Sequence, residues 1–203
     1  MTISKGVSWG TEVTRPPGLR IAGDDAELAR LLSDGTGAPT AVAAGDMFTT
    51  VGARPLAERT DLLALPVDLV SVSVDEGTPH TFVSHLVVRN PARRGGWWRG
   101  SVLVVMNAEY IGAADVAPRG HPNDGRVETL FATNKLKFRQ RVALRGRLRN
   151  ASHLPHPHIA TKPVRNGTWS FDAVMEVRAD GRRLRSGREV VIEVHPDAAM
   201  LHV

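Results

Sequence analysis

The 203-residue chain carries 26 Lys and Arg against 21 Asp and Glu, giving a formal net charge of +5 and a sequence pI near 10.4. With 42% hydrophobic and 23% charged residues it can bury a core, which excludes a disordered tail. No run of about 18 apolar residues is present to form a membrane span, and zero cysteines exclude disulfides and thiolate chemistry, in keeping with a cytoplasmic protein. Met1 to Gly10 has a Lys but no apolar stretch, so no signal peptide is expected.

In chain order, the pattern predicts a strand over Val7 to Val13 and a helix over Asp25 to Leu32 with Asp24 as its cap. Ser33-Asp34-Gly35-Thr36-Gly37 follows as a helix C-cap and turn. A strand over Thr40 to Ala44 and a short helix over Met47 to Val51 complete a mixed α/β segment, residues 1–59. From about residue 60 the character changes. Val67 to Val74, Thr81 to Arg89, Ser101 to Met106, Arg126 to Phe131, Trp169 to Arg178 and Glu189 to Val194 are short, Val-rich and separated by Gly, Pro or Asn turns. This predicts a mainly β (α+β) fold: an antiparallel sandwich over residues 60–203 with one or two helices. Asp180-Gly181 suits a hairpin turn. Lys135 to Leu148 has no Pro and helix-compatible composition, so one helix is assigned there.

Residues 107 to 130, NAEYIGAADVAPRGHPNDGRVETL, are the most specific stretch. Gly112, Pro118, Gly120, Pro122 and Gly125 favour a loop of defined shape between two strands. Asp124 before Gly suits a tight turn; its carboxylate either accepts backbone amides or joins exposed carbonyls as an oxygen ligand for a hard cation. His153, His156 and His158 lie among prolines with no third ligand placed by spacing, so they read as a polar loop and not a zinc site. Lys135, Lys137, Arg139, Arg141, Arg145, Arg147 and Arg149 form one basic stretch, and Trp97-Trp98 sits between Arg93, Arg94 and Arg99. Both fit contact with anionic lipid, since indole rings favour the headgroup zone and each cation near the surface adds about 1 kcal/mol. Nucleic acid is the rival reading of the charge; with aromatics at 5% there is little for bases to stack on.

The loop resembles the signature of the lipid-binding half of the diacylglycerol kinase family, bacterial lipid kinases included. Asn107, Gly112, Pro118, Asp124, Gly125, Val127 and Glu128 hold the family's positions, in which a strand end leads through a Pro to an Asp-Gly-hydrophobic-acidic segment. Ser152-His153 and Asp180-Gly181 resemble, more loosely, the family's Gly-x-His and Asp-Gly-Glu. Upstream, Ala44 to Gly52 looks like a shortened form of a second phosphate-loop motif, with Gly45 and Asp46 as its degenerate cofactor-binding remnant. The family's GGDGT is not found, and residues 1–59 resemble a truncated end of a nucleotide-binding domain.

The resemblance places the catalytic base at the Glu of Asp-Gly-Glu, where this chain has Arg182. A guanidinium cannot accept a proton, so no catalytic residue is assigned. The resemblance therefore implies a lipid-kinase-like protein that binds a lipid or partner without phosphorylating autonomously, and it gives little ground for ATP as a cofactor. The alternative is an active lipid kinase, alone or completed by a separate nucleotide-binding subunit. The resemblance also implies a structural Mg²⁺ or Ca²⁺ held by the Asp124 side chain and the backbone carbonyls of His121 and Arg126. From the charge and indole pattern, Trp97, Trp98, Arg139, Arg141 and Arg145 are the expected lipid-facing residues, and the protein is expected to be cytoplasmic with peripheral attachment to the membrane.

Overall fold

The computed structural model describes residues 9–57 and 59–203. In chain order its elements are β1 (Thr11–Thr14), β2 (Arg20–Ala22), α1 (Asp25–Leu32), β3 (Thr40–Val42), α2 (Asp46–Thr50), β4 (Asp61–Val74), β5 (His80–Phe82), β6 (His85–Arg89), β7 (Val102–Met106), β8 (Tyr110–Ile111), β9 (Ala114–Asp115), β10 (Val127–Ala132), α3 (Phe138–Arg147), β11 (Ile159–Val164), β12 (Asn166–Ala179), β13 (Arg182–Arg183) and β14 (Gly187–His202). Short 3-10 turns cover Ala92–Arg94, Gly96–Trp98 and Leu148–Asn150.

Among the described residues, twelve strands join one sheet, with the path β1-β4-β14-β12-β6-β7-β10-β11. The sheet becomes a sandwich because β12 serves both halves. Its first residues pair with β14 and its last with β6, and the ladder shifts register between Ser170 and Met175. A break of this kind bends a strand and increases its twist. The two halves then close over one core of Val70, Val72, Phe82, Leu86, Leu103, Val105, Val177 and Ile192. Strand alternation sends the neighbouring side chains to the outer faces. On one outer face, Leu65, Val67 and Leu69 of β4 pack with Leu28 of α1, Met47 of α2 and Leu201 of β14.

The α/β segment is tied into this sheet. β2 and β3 run parallel with α1 between them, β3 pairs with β14 through Leu201↔Thr40, and β1 pairs with β4. α1 has the predicted bounds for the predicted reason: the Asp24 carboxylate accepts from Glu27 N at 2.7 Å, and Glu27 reaches back to Gly23 N at 2.8 Å. These two bonds satisfy amides that a helix start leaves open.

Several elements differ from expectation. β1 begins at Thr11; Val7 and Ser8, at the head of the predicted strand, lie outside the described residues. β4 begins six residues early and runs through Pro66, whose carbonyl accepts from Trp9 Nε1 at 3.0 Å. A proline argues against a strand interior, but here β4 is held on both sides by β1 and β14. The strand expected over Thr81 to Arg89 is broken after Phe82. β14 runs on to His202 past a second irregularity between His195 and Ala199. Ile159–Val164 pairs with β10 although its Pro163 hid it. The helix starts at Phe138, not Lys135, with the Gln140 side chain accepting from Lys137 N at 2.8 Å.

Candidate functional site

The stretches at 44–52 and 107–112 come together in space. Gly45 has φ +117°, and a Cβ there would collide with the Asp25 carboxylate. The clearance matters because buried Asp25 accepts from Asp46 N at 2.7 Å and from Met47 N at 3.1 Å, the opening amides of α2. Amides in this position are what a phosphate-binding turn offers its ligand; here an internal carboxylate holds them. Burial pushes the Asp25 carboxyl above the usual range, against the lowering effect of these two bonds.

The Asp46 side chain points onward. One oxygen accepts from Gly112 N at 2.7 Å, and the other lies 3.1 Å from His85 Nδ1. Thr50 Oγ1 accepts from Glu109 N at 3.0 Å. Gly45 and Asp46 thus anchor the start of the 107–130 loop.

The end of that loop is held by Asp68, fully buried in mid-β4. Alternation puts it on the core-facing side with Val70 and Val72, at the end of the core where the loop crosses. Its oxygens accept from Gly125 N at 2.7 Å and Asp197 N at 2.9 Å, its own amide donates to Pro122 O at 2.7 Å, and its carbonyl accepts from Asn107 Nδ2 at 3.1 Å. Asn123 Nδ2 donates to Asp197 at 2.9 Å. Burial pushes the Asp68 carboxyl up, and the charges of Asp124 and Asp197 add to that.

Asp124 forms the expected turn, Oδ1 accepting from Arg126 N at 2.9 Å. Its Oδ2 stands 3.9 Å from the Arg126 guanidinium. The His121 carbonyl accepts from Asp124 N at 3.3 Å, so two of the three predicted cation-site residues already touch Asp124. His121 has its own structural use: its ring packs edge-on to Trp9, and burial pushes its imidazole below the usual range. Among the described residues no three His, Cys, Asp or Glu side chains are grouped to hold a metal. That bears on a zinc-type cluster and not on a site built from one carboxylate and carbonyls.

At the Asp180-Gly181 turn both residues have positive φ, +46° and +75°, and β12 turns into β13. The Asp180 carboxylate accepts from the amides of Val83, Ser84 and His85 at 2.9, 2.9 and 3.0 Å, which is why the strand expected through residue 83 breaks there. Burial pushes this carboxyl up to about 7 despite the three donors. Arg182 is exposed and lies 3.6 Å from Asp24, at the start of α1. The position where the resemblance expects a base therefore faces the α1 terminus with a fixed positive charge.

No protein-family model matches the chain, and no curated protein does. Solved structures do. One named for a diacylglycerol kinase of Bacillus anthracis str. Sterne superposes with a TM-score of 0.65 at 15% identity over 90% of this chain and 77% of that one. A second structure from the same organism gives 0.65, 14%, 90% and 76%, and a third 0.60, 15%, 90% and 74%. The chain has a diacylglycerol kinase-like fold. At these identities the likeness describes architecture alone.

On this kinase-like fold the basic stretch and the tryptophan pair also meet. Trp97 and Trp98 are 44% and 37% exposed, Phe138 60% and Val142 48%. Trp98 packs against Phe138 with ring centroids 5.3 Å apart, and the Arg89 guanidinium lies over Trp97 at 5.5 Å. Arg93, Arg99, Arg139 and Arg145 are exposed around this patch.

Arg141 is a correction. It is not lipid-facing but 7% exposed, and its guanidinium donates to the carbonyls of Leu136 at 3.0 Å, Trp97 at 2.8 Å and Gly100. It shares an inward helix face with Leu144, three residues on. Five donors in a planar fork let one side chain bind α3 to the Trp97–Gly100 turn.

Sequence reasoning missed Asp25, Asp68 and His85. Asp25 lay inside a predicted helix start, where an acid is unremarked, and Asp68 was a lone carboxylate in an apolar run. That second pattern is itself a signal, because a buried carboxylate needs donors.

Proposed function

We propose that this chain is a lipid-binding, kinase-like module that does not carry out ATP-dependent phosphorylation by itself. The observation that carries this reading is Asp25, whose carboxylate takes both opening amides of α2. A nucleotide phosphate at that turn would face an occupied cradle and a like charge. Arg182 supports the same reading from the other reactant, since a permanently charged guanidinium cannot take the proton of an attacking hydroxyl. Asp180 does not replace it: both of its oxygens are engaged by backbone amides.

The surface that suits the lipid is the Trp97, Trp98, Phe138 and Val142 patch. Its indole rings can settle among headgroups while Arg93, Arg99, Arg139 and Arg145 pair with anionic lipid. Arg141 contributes by holding the platform together. Among the described residues no helix is long and apolar enough to cross a membrane, so attachment through this patch would be peripheral.

A divalent cation fits the Asp124 turn. Burial first, and then the charge of Asp124, raise the carboxyls of both Asp68 and Glu128, with Arg126 and Arg119 opposing at Glu128, so a cation here would meet the Asp124 charge. Mg²⁺ or Ca²⁺ held by the Asp124 side chain with the His121 and Arg126 carbonyls would neutralise it and stiffen the loop, oxygen ligands being what hard cations take.

The deciding experiment is titration of the purified chain with ATP, followed by phosphate transfer to diacylglycerol in vesicles. The expected result is no saturable ATP binding and no turnover. Tight binding with turnover overturns the proposal in favour of an active kinase. Turnover only after adding a separate nucleotide-binding subunit assigns it to a split enzyme.

A further inference from the structure

The first half of β12 has a strand neighbour on one side only. Residues 166–170 pair with β14, and β6 joins the opposite edge only from Glu176 onward. Among the described residues no strand pairs with that edge over residues 166–174. Val194 N donates to Arg165 O at 2.8 Å, which sets the backbone of Arg165 toward β14. By alternation Asn166, Thr168, Ser170 and Asp172 turn their amides and carbonyls away from β14, and all four residues are exposed. Arg94 donates to Val174 O and ends the open stretch there. No Pro, Lys or Arg stands within residues 166–174 to discourage an added strand.

The two faces of this edge ask for different side chains. On the core side the Trp169 ring lies over Gly167, where a Cβ would collide with it. Trp169 and Phe171 stay half-buried at the margin of the core. Large apolar side chains on an added strand would complete their burial. On the outer side Ser170 stands opposite Glu189 and Asn166 opposite Glu193, and Asp172 continues the same face. Among the described residues none of these three carboxylates is in an ion pair. In a chain of net charge +5 this face is acidic.

A second copy would match the open rungs but not the charge. Two β12 edges paired about a two-fold axis make one continuous face that carries both sets of carboxylates, and like charges across a ladder destabilise it. Opposite charge on the added strand removes that conflict. In strand addition the main chain supplies affinity and the alternate side chains supply specificity.

We propose that the open edge of β12 receives an extended segment of another protein, with lysine or arginine at alternate positions beside Asp172, Glu189 and Glu193 and large apolar residues between them over Trp169 and Phe171. This interaction goes beyond the lipid-binding reading and does not depend on it.

The test is fluorescence-anisotropy titration of the full chain with labelled peptides long enough to span residues 166–174. One alternates lysine with valine, a second has glutamate for lysine, and a third is the first with its lysine amides N-methylated. Residues directly opposite share a face, so the lysine amides are those that meet the outward rungs. The lysine peptide should bind at least about tenfold more tightly than either of the others. Thr168→Pro removes one outward N–H and leaves the β14 ladder its bonds, so it should weaken the lysine peptide by about tenfold while the circular dichroism spectrum stays that of the parent. Asp172→Lys should weaken the lysine peptide and strengthen the glutamate one.

Absence of binding by the lysine peptide overturns the proposal, as does equal affinity for the glutamate or the methylated peptide. If Thr168→Pro does not fold, the methylated peptide tests the same rungs from the other strand. Self-association of the parent in sedimentation velocity that Thr168→Pro abolishes gives the edge to a second copy and overturns the proposal as well.

Discussion

Replacing Arg141 by Met separates a structural arginine from a lipid-facing one. Met keeps much of the stem and its packing, and removes the guanidinium that donates to Leu136, Trp97 and Gly100. Hydrogen bonds to a charged partner contribute about 1.5–3 kcal/mol each, so the gross loss is roughly 5–9 kcal/mol. Two effects offset it. The guanidinium no longer has to be desolvated, the burden that lowers its pKa in the fold, and the carbonyl of exposed Trp97 can regain water. A net loss of about 2–4 kcal/mol is expected. For a chain of this size that lowers Tm by roughly 5–15 °C. Urea unfolding followed by circular dichroism gives the free energy, and acrylamide quenching of tryptophan fluorescence reports whether Trp97 and Trp98 loosen. Arg139→Met, on the exposed face, is the control and should stay within about 0.5 kcal/mol of the parent. A loss below about 1 kcal/mol for Arg141→Met, with quenching unchanged, refutes the reasoning and returns Arg141 to the surface charges.

Asp68→Ala strands the buried amide of Gly125 and the half-buried amide of Asp197 and should cost about 2–4 kcal/mol by urea unfolding, with Asp68→Asn costing less; a loss under about 1 kcal/mol means Asp68 does not anchor the loop. The Asp180 carboxyl sits at about 7 in the fold against 3.8 outside it, so the folded state holds that proton more tightly. Its stabilising contribution is full below about pH 4 and is lost as pH rises toward 7; the stability gap between the parent and Asp180→Asn should narrow or reverse over that window, and a constant gap contradicts the assignment. For the membrane surface, Arg139→Gln with Arg145→Gln should weaken sedimentation with anionic vesicles by roughly thirtyfold, about 1 kcal/mol per cation, and equal sedimentation of parent and double variant rejects the platform. Added Mg²⁺ or Ca²⁺ should raise the melting temperature of the parent and leave Asp124→Ala unmoved; no response in the parent removes the cation from the loop.

Local chemistry made part of this molecule readable in advance. α1 is announced by Asp24 and by Leu28, Leu31 and Leu32 at helical spacing, and the Asp180-Gly181 turn by a dipeptide that tolerates positive φ. The loop at 107–130 could be recognised as shaped because its glycines and prolines are local signals. What stayed hidden depends on distant partners. Asp25 matters through Asp46 and Met47, and Asp68 through Gly125 and Asp197, so the sequence around each gives no sign of where its oxygens go. Arg141 was misread for a different reason. Counting it into a basic run ignored the helix period, which sets it beside buried Leu144 and about 100° round the helix from exposed Val142.

β11 closes one end of the sheet path, leaving a row of backbone groups that could recruit a strand from another molecule. Lys162 turns its carbonyl inward, where Thr129 Oγ1 donates to it at 2.7 Å, so by alternation Pro163 turns its backbone nitrogen outward. That nitrogen carries no hydrogen. An incoming strand would find a missing rung beside an exposed lysine charge, which makes this margin a poor template for aggregation although it is fully extended.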